Sequence, residues 1–155
     1  MIITFCGHSK LARTGEITDK LKDTLHKLFH EAAAGNFPLT FYCGGYGDFD
    51  SLASLAVENT RKEFPSVQCE KIFVTPYITP SYSERNAIMK TMYDEVLYPP
   101  LETVPYRLAI IKRNEWMVSE SDLVIAYVLY SWGGATHTLE YAQQKKKRII
   151  NIAKE

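Results

Sequence analysis

Apolar positions along the chain alternate between two spacings. Ile2-Ile3-Thr4-Phe5-Cys6 is a short run of strand formers closed by Gly7-His8-Ser9. Ile17, Leu21, Leu25, Leu28 and Ala32 then recur at helical spacing, and Gly35-Asn36 supplies a stop. Leu39 to Cys43 reads as a second strand, ended by Gly44-Gly45-Tyr46-Gly47. Asp48 or Asp50 can cap the next helix, whose Leu52, Leu55 and Ala56 form an apolar stripe. A third strand lies within Val67 to Val74, followed by a loop marked by Pro76 and Pro80. Helical patterns run from about Ser83 to Tyr98, where Pro99-Pro100 ends them, and from about Pro105 to Ser119. The buried strand Leu123 to Val128 follows, then a helix from about Thr136 to Lys146 and a short strand from Arg148 to Ile152.

Strands alternating with amphipathic helices predict an α/β domain with a mostly parallel sheet. Right-handed crossovers put helices on both faces, giving three layers. Ligands of such sheets bind outside the carboxyl ends of the strands. The small-residue turns after Cys6, Cys43 and Val128 could therefore share one crevice. With no internal repeat or linker, residues 1–155 read as a single domain.

Composition narrows the function classes. Of the 155 residues, 46% are hydrophobic, enough for one sizeable core. Eighteen Lys and Arg balance 18 Asp and Glu, so the formal net charge is zero. That balance argues against an electrostatic grip on long nucleic acid and leaves a small nucleotide open. No apolar stretch approaches a membrane span. Met1-Ile2-Ile3-Thr4-Phe5 lacks the charged start and long apolar run of a signal peptide. Cys6, Cys43 and Cys69 are an odd, unpatterned set, read as free thiols in a reducing cytoplasm. No His, Cys or acidic spacing suggests a metal site, and no cofactor is expected.

The candidate chemistry lies in the turns. Gly133, Gly134 and Thr136 open a helix after a buried strand, where bare N–H groups and one hydroxyl suit a phosphate. The structural alternative is close packing by glycine, with Thr136 as a cap. Gly7, His8 and Ser9 form a second turn in which His8 could donate a hydrogen bond or act as an acid–base group, or simply be a solvated loop histidine. Gly44, Gly45 and Gly47 form a third, with Asp50 as a partner for a sugar or base, or as a helix cap. Arg113 and Met117 share a helical face. Met117 anchors that face in the core, as does Trp116, while the planar fork of Arg113 suits a phosphate, a departing base or a structural ion pair. Asn114 could read a base edge or tie two loops together. Tyr77, Ser81 and Tyr82 sit in a loop that could cover a ligand, and Lys145-Lys146-Lys147-Arg148 reads as a solvated helix end.

Four strings carry a family resemblance: Thr4-Phe5-Cys6-Gly7-His8-Ser9, Gly44 to Asp50, Arg113-Asn114-Glu115-Trp116-Met117-Val118 and Gly133-Gly134-Ala135-Thr136. In order and content they resemble the motif series of the SLOG superfamily, and within it the YpsA-like branch. The resemblance implies a Rossmann-like fold, a nucleotide or nucleotide-derived ligand and a homodimer, and the reading adopted is a sensor or sequestering module without chemistry. The related LONELY GUY-type phosphoribohydrolases release a base from a nucleoside 5′-monophosphate. Arg113, Met117 and Glu140 match their spacing, whereas Asn114, Trp132, Thr136 and His137 depart from it. On that alternative Arg113 orients the phosphate or leaving base, and Glu140 stabilises positive charge on the sugar. A third alternative is a protein-interaction domain with a vestigial pocket.

Overall fold

The structure is a computed structural model and describes residues 1–154. Six strands form one sheet: β1 (Ile2–Gly7), β2 (Leu39–Cys43), β3 (Cys69–Val74), β4 (Glu95–Leu97), β5 (Leu123–Tyr127) and β6 (Arg148–Asn151). Their spatial order is β4-β3-β2-β1-β5-β6, and every neighbouring pair is parallel. Five α-helices connect them: α1 (Thr14–Gly35), α2 (Gly47–Glu63), α3 (Pro80–Met92), α4 (Ala109–Glu120) and α5 (Gly134–Gln144). The chain has the Rossmann-like α/β fold that its alternating pattern predicts.

Side chains alternate across each strand, so each face of the sheet draws on every second residue. Ile3, Phe5, Leu39, Phe41, Leu123 and Ile125 meet the stripes of α1 and α2, among them Leu21, Leu25, Phe29, Ala53 and Val57. Phe5, Phe41 and Phe29 stack in series, with centroids 5.9 and 6.0 Å apart. The opposite residues Cys6, Val124 and Ala126 meet Val118 of α4 and Leu139 and Ala142 of α5. Met117 packs on Ile72 and Val74 of the same face. Helix α1 ends where Asn36 turns left-handed, φ 54°, and its N–H bonds back to Ala32 O.

The helical reading of residues 83–98 fails in its second half. Helix α3 stops at Met92, and residues 95–97 become a sixth strand against Ile72–Val74. Asp94 imposes the change. Its N–H donates to Lys71 O at 2.9 Å, and its carboxylate accepts from Lys71 N at 2.8 Å and Arg61 Nη1 at 2.6 Å. Those bonds hold the chain alongside β3, where a helix cannot continue. Residues 106–108 form a 3₁₀ turn before α4. Cys6, Cys43 and Cys69 are unpaired, the first two buried. Among the described residues, no helix is long and apolar enough to cross a membrane.

Candidate functional site

From β1 the chain passes to β2 on one side, and from β5 it passes to β6 on the other. The loops leaving these two adjacent strands therefore diverge and open a crevice at their carboxyl ends. A cavity of about 490 Å³ occupies it. Gly7, His8, Ser9 and Lys10 line it from β1, Tyr46 and Asp50 from the α2 entry, and Ile110, Arg113, Asn114 and Met117 from α4. Tyr130, Trp132, Gly133 and Gly134 line it from the loop between β5 and α5.

Arg113 is only 1% exposed. Its Nη1 donates to Gly44 O at 2.9 Å and Val74 O at 2.7 Å, and its Nε donates to Asn114 Oδ1 at 2.9 Å. One guanidinium thus clamps the ends of β2 and β3 while forming part of the cavity wall. Asn114 supports it. Asp50 stands nearby: a Cβ on Gly44 would lie 3.1 Å from Asp50 Oδ2 and 3.3 Å from Arg113 Nη2. Burial pushes the Asp50 carboxyl up to about 7, against the opposing pull of Arg113. Burial also draws Arg113 down to about 10, with Asp50 acting the other way. Asp50 does not cap α2 in the expected sense. Its Oδ2 accepts from Tyr46 N at 3.1 Å, and Asp48 Oδ2 accepts from Leu11 N at 3.0 Å.

Of the glycines after β2, Gly45 and Gly47 face packed protein, and Gly44 faces Asp50 and Arg113. Gly45 and Gly47 have φ of 71° and 82°. A Cβ on Gly45 would meet the Phe73 ring at 2.5 Å, and one on Gly47 would meet Ser9 Cα at 2.6 Å. The first N–H groups of α2 are already engaged, Asp48 N with Ser9 O at 2.8 Å and Phe49 N with His8 O. The expectation that Gly44, Gly45 and Gly47 form a ligand-facing turn is corrected. Gly47 lets the β1 and β2 turns pack together, Gly45 admits the Phe73 ring, and Tyr46 and Asp50 are the cavity-lining residues of this segment. Gly7 lines the cavity, but its lack of a side chain serves the Phe49 ring, 2.2 Å from where a Cβ would be.

The turn before α5 is different. Gly133 has φ 100° and ψ 176°, a conformation in effect reserved for glycine. Nothing lies within 4 Å of a Cβ built on Gly133 or Gly134, and no side chain caps the helix. Thr136 is not a cavity residue. Its Oγ1 lies 2.8 Å from Tyr130 O and 2.9 Å from Trp132 O, so the hydroxyl fixes the loop instead of a ligand. Two exposed rings sit on that loop, Tyr130 and the 70%-exposed Trp132, stacked at 5.2 Å with 12° between their planes. His8 continues the row, its ring 4.7 Å from Tyr130. His8 Nε2 accepts from Leu129 N at 2.9 Å, which requires a neutral ring, and burial lowers its pKa. The ring positions the loop.

Glu140 is exposed and not among the cavity residues, so the catalytic pairing of Arg113 with Glu140 is corrected. Thr138 faces the cavity, and two residues along a helix turn about 200° to the other side. Tyr130, Trp132 and Lys10 also line the cavity and were not singled out as site residues in the sequence. The available signal was the pair of aromatics between an apolar strand and a double glycine. Among the described residues, no three His, Cys, Asp or Glu side chains come together as a metal site.

No protein-family model matches the chain, and no curated protein matches it. Solved structures do. DNA processing protein A from Helicobacter pylori, described for its unique single-stranded DNA binding mode, superposes with a TM-score of 0.59 at 17% identity over 96% of this chain. DNA processing protein A (DprA) from Streptococcus pneumoniae gives 0.63 at 16% over 95%. The chain spans only 63% and 48% of those two proteins. The likeness shows a shared Rossmann-like fold and carries nothing for the YpsA-like branch or for the phosphoribohydrolases. It overturns the expectation of a small-molecule nucleotide sensor, with its glycosidase and vestigial-pocket alternatives, and the exclusion of long nucleic acid, since a protein of this fold is described by its single-stranded DNA. Net charge does not test for a single strand. Single strands are held by stacking and by local cations, neither of which the chain total reports.

Proposed function

We propose that the crevice binds single-stranded DNA. One observation carries the reading: the exposed, stacked Tyr130–Trp132 pair stands beside the open Gly133-Gly134 turn at the cavity mouth. Aromatic faces accept any base, and the uncapped N-terminus of α5 offers N–H groups to a phosphate. Lys10 adds a cation at the rim. Gly7, Ser9, Gly133 and Gly134 bring backbone close to the strand, Asn114 and Asp50 border its base or sugar, and Arg113 holds the floor. Asp50 favours an anionic ligand when protonated, which its raised pKa allows near neutrality. Within the SLOG fold the Arg113–Val118 string favours the YpsA-like branch, and residues 1–155 act as one cytoplasmic domain.

The test is fluorescence anisotropy with a labelled oligothymidylate. Losing one stacked base is worth about 1–3 kcal/mol, so Trp132→Ala weakens binding roughly 5- to 150-fold. Circular dichroism and thermal stability stay at the parent level, because Trp132 is exposed. Undiminished affinity in Trp132→Ala, or no oligonucleotide binding by the parent, sinks the reading.

A further inference from the structure

A second cavity, about 350 Å³, lies on the other side of the same wall. His8, Lys10 and Tyr130 line both cavities. The second is also bordered by Arg13, Tyr127 and Leu129. We infer that it is a second nucleotide subsite, and that one DNA strand crosses from the first cavity to the second over the ridge of His8, Lys10 and Tyr130. This rests on the single-stranded DNA reading of the first cavity.

Three observations carry it. The ridge is a row of rings: Trp132 stacks on Tyr130, Tyr130 meets His8 at 4.7 Å, and His8 meets Tyr127 edge-on at 6.2 Å. Rings therefore border both cavities, with His8 and Tyr130 lining each. The charges are also arranged for a backbone. Lys10 and Arg13 are exposed, one on the ridge and one beyond it. The cavity's carboxylate, Glu16, is engaged by Lys20 at 3.8 Å, and Lys20 Nζ also donates to Ile152 O at 3.1 Å. Finally, the ridge is built to stay in place. Leu129 N–H is held by His8 Nε2, and Thr136 holds the carbonyls of Tyr130 and Trp132.

A length series tests this. Labelled dT2, dT4, dT6 and dT8 are titrated against the parent, Arg13→Gln and Trp132→Ala. Arg13 sits at the N-cap of α1 without a side-chain capping bond, so its replacement keeps the fold. Parent affinity is expected to climb with length until both cavities are filled. In Arg13→Gln, dT2 binding stays at the parent level, while the longer oligomers lose most of the gain. The salt slope for dT8 falls by about 0.7, the value for one phosphate contact on a single strand. Parent affinity that does not grow beyond dT2, or an Arg13→Gln series matching the parent, overturns the second subsite. If Trp132→Ala still weakens dT2, that failure leaves the first cavity's role standing. Absence of binding at every length removes both.

Discussion

Replacing Arg113 by Met separates a structural arginine from a ligand-binding one. The substitution keeps length and removes the charge and its donors. Gly44 O and Val74 O, which share Nη1, are left in a buried setting. Each unsatisfied buried acceptor costs about 1–3 kcal/mol. A domain of ordinary stability, about 5–15 kcal/mol, would survive weakened. The pH dependence identifies the mechanism. The Asp50 carboxyl binds its proton more tightly folded, at about 7, than at its ordinary 3.8. Its contribution is therefore complete below the lower value, declines as pH rises between the two, and is flat above about 7. Without Arg113, the one group that pulls this pKa down, the decline continues above neutrality. The stability gap between parent and Arg113→Met should thus be wider at pH 8.5 than at pH 6. Urea denaturation at both pH values measures it, and Asp50→Asn in the Arg113→Met background should close the extra gap. A loss under about 1 kcal/mol would refute the clamp, and an equal loss at both pH values would refute its coupling to Asp50.

Two further outcomes follow from the loop and the last helix. Gly133→Ala forces a side chain into a glycine-only conformation and should cost about 1–3 kcal/mol of stability or displace the turn, lowering oligonucleotide affinity; a crystal structure of the variant with the turn unmoved and a parent melting temperature would contradict it. Glu140→Gln should leave both stability and oligonucleotide affinity at the parent level, because the side chain is exposed and away from the cavity; a clear fall in binding by anisotropy would return Glu140 to the site.

The fold was legible because long elements repeat one physical signal many times. Helix α1 buries Ile17, Leu21, Leu25, Leu28 and Ala32 on one stripe, as their spacing requires. Strand β5 is apolar throughout because helices cover both its faces. The strand at residues 95–97 was illegible for the opposite reason. Three residues are too few to show a period, and their conformation is dictated by Asp94 bonding to Lys71 and Arg61, residues 23 and 33 positions away.

The site divides along the same line. Turns after β1 and β5 could be placed at one edge because parallel strands put their carboxyl ends together. What each turn residue does there depends on its neighbours in space. The glycines after β2 and before α5 look alike in sequence. Yet Gly45 is backed by Phe73 and Gly47 by Ser9, while Gly133 and Gly134 have nothing within 4 Å. Thr136 and Glu140 share one helix with Thr138, and a rotation of two residues decides which one faces the crevice. Partner class was misjudged from a sum. Eighteen cations against 18 anions cancel over the chain, but Glu58 and Asp94 are spent on Arg61, far from the crevice, and Glu16 on Lys20. On the proposed reading, the charge a strand would meet is that of Lys10 and Arg13 beside Tyr130 and Trp132, and the relevant quantity is local potential together with exposed aromatic surface.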